Sequence, residues 1–123
     1  MTSRDGGAAA LVLLVWLVAL GAVTSIGFAR DRDLTRGKEL FLQHCSGCHG
    51  EDGRGEAKTF RPNVGNLSVK ELMDQLSDEY LFAVIQKGGA AVGKNAAMPP
   101  WSTRLGDDDI RDLVAFVRTL AHR

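Results

Sequence analysis

Cysteine is nearly absent from this chain: Cys45 and Cys48 are the only two in 123 residues. A pair three positions apart closes almost no loop, so a disulfide framework is excluded as the source of stability. Proline is as scarce, with three residues, and two of them are adjacent, Pro99 and Pro100. No segment alternates apolar and polar residues in the manner of a half-buried strand, which argues against any sheet-based class. Neither sign of charge prevails, since fifteen Lys and Arg stand against fifteen Asp and Glu. That balance gives no electrostatic footprint for nucleic acid, and there is no like-charged run of the kind that forms a disordered tail.

One long hydrophobic run is present. After a short tail, residues 1–7, the 22 residues from Ala8 to Ala29 carry no charge. As a helix they would span about 33 Å, close to the hydrocarbon thickness of a bilayer. A cleaved secretory signal is the competing reading, because Gly27-Phe28-Ala29 offers small residues at a peptidase spacing. Signal h-regions run to about 15 residues at most, so the length favours a retained transmembrane anchor. Either way the remainder, residues 30–123, is exported as one small domain. Counted by Lys and Arg alone, Arg30 and Arg32 against Arg4 lean towards a cytoplasmic C-terminal side.

Within that domain the periodicity is helical. Thr35 is the expected N-cap of a first helix on which Gly37, Phe41 and Cys45 share a face with Leu40. Leu67–Leu76 is a candidate short helix. Ser77 caps DEYLFAVIQK, with Leu81, Val84 and Ile85 as its apolar face and Gly88-Gly89 as its stop. Asp107–Asp109 open a last helix with the stripe Ile110, Leu113, Val114, Val117, Leu120. The loops between, around Pro62 and across AAVGKNAAMPPW, are long for a domain this small. They need an internal partner to pack against.

The stretch QHCSGCHGEDGRG, Gln43–Gly55, supplies the candidate. A thioredoxin-like disulfide requires a strand before the motif, and no strand pattern exists. Structural zinc requires four ligands, and beyond Cys45, Cys48 and His49 only His44 and His122 remain, with no second cysteine pair. C-x-x-C-H is also the attachment signature of covalent haem. On a helix, positions 45, 48 and 49 are i, i+3 and i+4 and face one side, so two thioethers and one axial imidazole fall together. His49 is then an iron ligand. For the sixth position the candidates are Met73, Met98, His44 and His122. His44 beside the tether is expected to point elsewhere, His122 sits at a terminus, and Met73 reads as core filling. Met98, in a loop stiffened by two prolines, is the expected ligand. Met/His ligation favours electron transfer.

GKELFLQHCSGCHGEDGRG followed by MPPWSTRLGDDDIRDLVAFVRTL resembles the small monohaem class I cytochromes c of bacteria, over essentially Leu34 to Leu120. The resemblance implies an all-α fold, short helices and long loops wrapped around one covalently bound haem c, with the first and last helices crossing. It places Gly37 and Phe41 against Phe116 and Leu120, makes Pro62 a candidate for the loop proline whose carbonyl orients the proximal histidine, and makes Trp101 a haem-wall or propionate contact. Leu81, Val84, Ile85 and Leu113 are further expected pocket walls. It also implies a haem domain on the periplasmic side of the bacterial cytoplasmic membrane, against the charge bias, and a single-electron carrier with redox-protein donor and acceptor. No small-molecule substrate and no nucleic acid are expected as partners. A gas-binding protein with an open sixth position, a peroxidase-like enzyme and a haem-bearing structural subunit are the alternatives. The enzyme would want a distal acid-base residue, and the chain has no histidine suited to it.

Overall fold

The computed structural model describes residues 31–56 and 64–123. The expected tail 1–7, the anchor 8–29 and Pro62 lie outside them. Among the described residues no helix is long and apolar enough to cross a membrane.

Helix α1, Leu34–His44, begins two residues earlier than an N-cap at Thr35 implies. Asp33 is its N-cap, its carboxylate accepting the Arg36 N–H at 2.9 Å. Asp33 is also held from outside the helix. Its own N–H donates to the Asp112 carboxylate at 3.0 Å, across 79 positions of sequence. An acidic cap with a tertiary tether outcompetes a neighbouring threonine. A short second helix, α2 (Ser46–His49), follows directly after Cys45.

Helix α3 is shorter than the expected 67–76 and covers Lys70–Met73. Asn66 takes the start of that stretch out of helix, because its side-chain oxygen accepts both the N–H and the hydroxyl of Ser68. Helix α4, Asp78–Lys87, matches the reading at both ends. The Ser77 hydroxyl accepts the Tyr80 N–H at 3.1 Å, and Gly88 ends the helix with φ of 80°. Helix α5 is Asp107–Leu120, with three aspartates in its first turn. Among the described residues there is no strand, so the all-α class holds.

The crossing of α1 and α5 organises the core. A β-carbon on Gly37 would lie 2.1 Å from the Asp112 carbonyl oxygen, so the two backbones touch where the side chain is missing. The Phe41 and Phe116 rings pack beside this point with centroids 5.4 Å apart. Leu40, Ile110, Leu113, Val117 and Leu120 fill the rest. The stripe on α5 is therefore core, joined by Phe116 and by the buried Asp112.

Arg118 ties α5 to the opposite wall. Its Nη1 and Nη2 donate to the carbonyls of Met73 and Leu76, and its Nε donates to Asp78 at 2.8 Å. One planar cation thus satisfies the end of α3 and the start of α4. Lysine keeps the charge but cannot span those acceptors. Arg118→Lys is expected to cost about 2 kcal/mol, as carbonyls lose their donors, and to lower the thermal midpoint by roughly 10 °C. A midpoint unchanged by the lysine would contradict this role.

Candidate cofactor site

The turn from α1 into α2 carries Cys45, Cys48 and His49. The Cys48 and His49 N–H groups both donate to the Cys45 carbonyl, at 3.1 and 2.9 Å, which keeps the C-x-x-C-H segment helical. The chain then leaves through Gly50 and Gly53, at φ of 75° and 77°, a conformation that favours glycine. The Gly55 N–H returns to the His49 carbonyl at 2.7 Å, and the Leu67 N–H closes on the Gly53 carbonyl at 2.7 Å. The glycine-rich segment is therefore a clasp that folds back on the histidine.

These residues open on a cavity of about 420 Å³. The α1–α2 corner contributes His44, Cys45, Cys48 and His49 to its wall. Tyr80, Leu81 and Val84 come from α4, and Met98, Pro99 and Trp101 from the loop before α5. Five of the six residues expected at the site thus share one cavity; Pro62 lies outside the described residues. Among the described residues no carboxylate lines it, and Lys94 is the one lysine that does.

Three expectations about the wall change. Ile85 and Leu113 do not line the cavity; both are buried in the core between helices. The apolar arc of α4 is wide enough to serve two sides, with Ile85 in the core, Tyr80 and Val84 towards the cavity, and Leu81 reaching both. His44 does not point elsewhere: it lines the cavity and its ring lies 5.1 Å from that of Trp101. Met73 is core filling, 1% exposed, and also reaches the wall. His122 stays at the surface, 3.9 Å from Asp74. The sequence pointed to neither Tyr80 nor Leu67 as lining. Tyr80 stands one turn before Val84 on α4, which is the signal that could have found it.

The chemistry of the donors can be set against the readings. Burial, with the neighbouring Cys48 thiol adding to it, pushes the Cys45 thiol up to about 12. Burial thus keeps it a neutral thiol at ordinary pH. Both cysteines are free. Among the described residues no group of three or more His, Cys, Asp or Glu is arranged to hold a metal ion. His49 Nδ1 is buried and, among the described residues, meets no hydrogen-bond partner. Burial lowers the His49 pKa below its ordinary 6.5, so the imidazole is neutral and able to coordinate. An apolar slot with two free thiols and a neutral imidazole fits a covalently tethered haem.

Comparison with known proteins agrees with this chemistry. Residues 34–121 match the family described as Cytochrome c. The chain is 31% identical over 84 residues to the cbb3-type cytochrome c oxidase subunit FixPc of Rhizobium leguminosarum bv. viciae, covering 68% of this chain and 26% of that protein. It is 34% identical over 85 residues to FixP of Rhizobium meliloti (strain 1021), covering 69% and 27%. The cytochrome c subunit of the quinone alcohol dehydrogenase of Gluconobacter oxydans (strain 621H) is 30% identical over 83 residues, covering 67% and 17%. The chain therefore spans only about a quarter or less of the length of these relatives. Among solved structures, the KustC0563 c-type cytochrome superposes with a TM-score of 0.58 at 28% identity, covering 68% of this chain and 95% of that one. The chain belongs to the cytochrome c family of electron-transfer proteins, and its cofactor is covalently bound haem c.

Proposed function

We propose that this chain is a membrane-anchored single-electron carrier. Residues 1–7 form a short tail, residues 8–29 anchor the chain, and residues 30–123 form the haem domain on the periplasmic side of a bacterial cytoplasmic membrane. Cys45 and Cys48 hold the haem by thioethers, and His49 and Met98 are the axial ligands of its iron. The buried His49 Nδ1, without a partner among the described residues, leaves a donor for the Pro62 carbonyl. Trp101 stands in the cavity wall. Bound haem supplies a one-electron Fe(II)/Fe(III) couple whose potential Met/His ligation raises.

The observation that carries this reading is the gathering of Cys45, Cys48, His49 and Met98 around one apolar cavity. The chain's own residues exclude water, present a neutral imidazole and hold a thioether in reach of the same space. None of this makes or breaks a substrate bond. The named relatives are subunits of an oxidase and a dehydrogenase, which supports a redox-protein donor and acceptor within or beside such a complex. Anchoring keeps the carrier at high effective concentration near membrane-bound partners.

Extraction and potentiometry test it. The colour is expected to remain in the membrane fraction, to stay with the polypeptide in denaturant, and to titrate with a one-electron slope. Colour that leaves with acid and solvent, or a chain released without detergent, would defeat the attachment or the anchoring respectively.

A further inference from the structure

The loop between α4 and Met98 is stitched to itself through two residues. The Gly89 N–H donates to the Met98 carbonyl at 2.9 Å, and the Gly89 carbonyl accepts from Val92 at 3.2 Å and Lys94 at 2.8 Å. From the other side, the Asn95 carbonyl accepts the Met98 N–H at 3.2 Å, and its side-chain oxygen accepts the Ala97 N–H at 2.9 Å. Both backbone groups of Met98 are therefore held inside its own loop.

Space, not backbone conformation, demands the glycine. Gly89 has φ of −63°, which any residue adopts. Yet a β-carbon there would lie 2.0 Å from the Asn95 carbonyl oxygen and 3.3 Å from the Met98 β-carbon. Gly89 is buried, whereas Met98 is only half-buried, so side-chain packing on its own fixes the methionine less firmly than these bonds do. A thioether is an uncharged, weak ligand, and its occupancy depends on how little freedom it must surrender on binding. A loop closed beforehand by its own hydrogen bonds has surrendered that freedom already.

We propose that Gly89 and Asn95 are positioning residues that pre-set the Met98 thioether for iron, and so decide whether the sixth position is closed. This rests on the reading of His49 and Met98 as the axial pair. An alanine at Gly89 forces the Asn95 peptide away and breaks the bond to the Met98 carbonyl. The sixth position then opens although no ligand has been replaced.

The test uses the full haem-loaded chain in detergent. Ferric and ferrous spectra, carbon monoxide binding and potential are read for the wild type, Gly89→Ala, Asn95→Ala, Asn95→Asp and Met98→Ala. Gly106→Ala is the control, because a β-carbon there meets nothing within 4 Å. Gly89→Ala is expected to lose the weak sulfur-to-iron band, to bind carbon monoxide, and to shift its potential down towards that of Met98→Ala. Asn95→Ala should move part of the way, and Asn95→Asp, which keeps the acceptor for Ala97, should return to the wild-type signature. Gly106→Ala should match the wild type throughout. Retention of the wild-type band and potential by Gly89→Ala and Asn95→Ala would overturn the proposal, as would equal losses in the control. If Gly89→Ala does not accumulate, the contrast between alanine and aspartate at Asn95 decides. A wild type that itself lacks the band and binds carbon monoxide would instead overturn the axial pair, and this inference with it.

Discussion

Replacing both thiols, Cys45→Ser with Cys48→Ser, is expected to abolish the folded domain and not only its colour. The cavity they border measures about 420 Å³ in a domain whose described core is one cluster between helices. At about 24 cal/mol per Å³, a void of that size would cost up to about 10 kcal/mol. Natural domains have only about 5–15 kcal/mol in total. Water entering the open side lowers the cost but leaves Leu81, Val84 and Trp101 wet. Either single serine is expected to keep the cofactor through one thioether and to lose far less. Helical circular dichroism and protease resistance measure the outcome. A double-serine chain as helical and resistant as the wild type would show that the protein fills this space without the tether.

The second large effect is at the helix crossing. Gly37→Ala gains about 1 kcal/mol of intrinsic helix propensity, and on that ground alone it would stabilise. Tertiary contact reverses the sign. The new methyl would sit 2.1 Å from the Asp112 carbonyl oxygen and 2.9 Å from the Phe116 β-carbon, against backbone that cannot swing aside. Separating α1 from α5 also stretches the bond from the Asp33 N–H to the Asp112 carboxylate and loosens the Phe41–Phe116 pair. Overpacking of this kind costs about 3 kcal/mol, or roughly 15 °C in midpoint for a domain of this size. Thermal unfolding of the haem-loaded protein, compared with the wild type, checks it. A Gly37→Ala midpoint equal to or above the wild type would mean that the helices do not meet at this glycine.

Where the fold was legible, the signals were local. Ser77 and Gly88 bracket α4 because a hydroxyl three residues before an amide and a glycine after the last turn act within one helix. The α5 stripe also holds, since core-facing apolar spacing survives in any context, and the pairing of Gly37 and Phe41 with Phe116 that the family resemblance implied is present at the crossing. What escaped depends on distant partners. Asp33 wins over Thr35 partly through Asp112, far along the chain. Ile85 and Leu113 were expected at the cavity, yet a side chain facing core and one facing a cofactor slot carry the same hydrophobic signal. His44 was set aside for its nearness to the tether, and only its ring contact with Trp101 brings it to the wall. The close approach at Gly89 had no local trace, because its φ is ordinary and its neighbour Asn95 arrives through a turn.

The most direct measurement is the optical spectrum of the detergent-extracted protein, ferric and ferrous, repeated under carbon monoxide. A covalent haem held by His49 and Met98 predicts a low-spin spectrum with the weak sulfur-to-iron band, unchanged by carbon monoxide. A high-spin spectrum that shifts when carbon monoxide binds would contradict it, leaving Met98 off the iron and the gas-binding reading in its place.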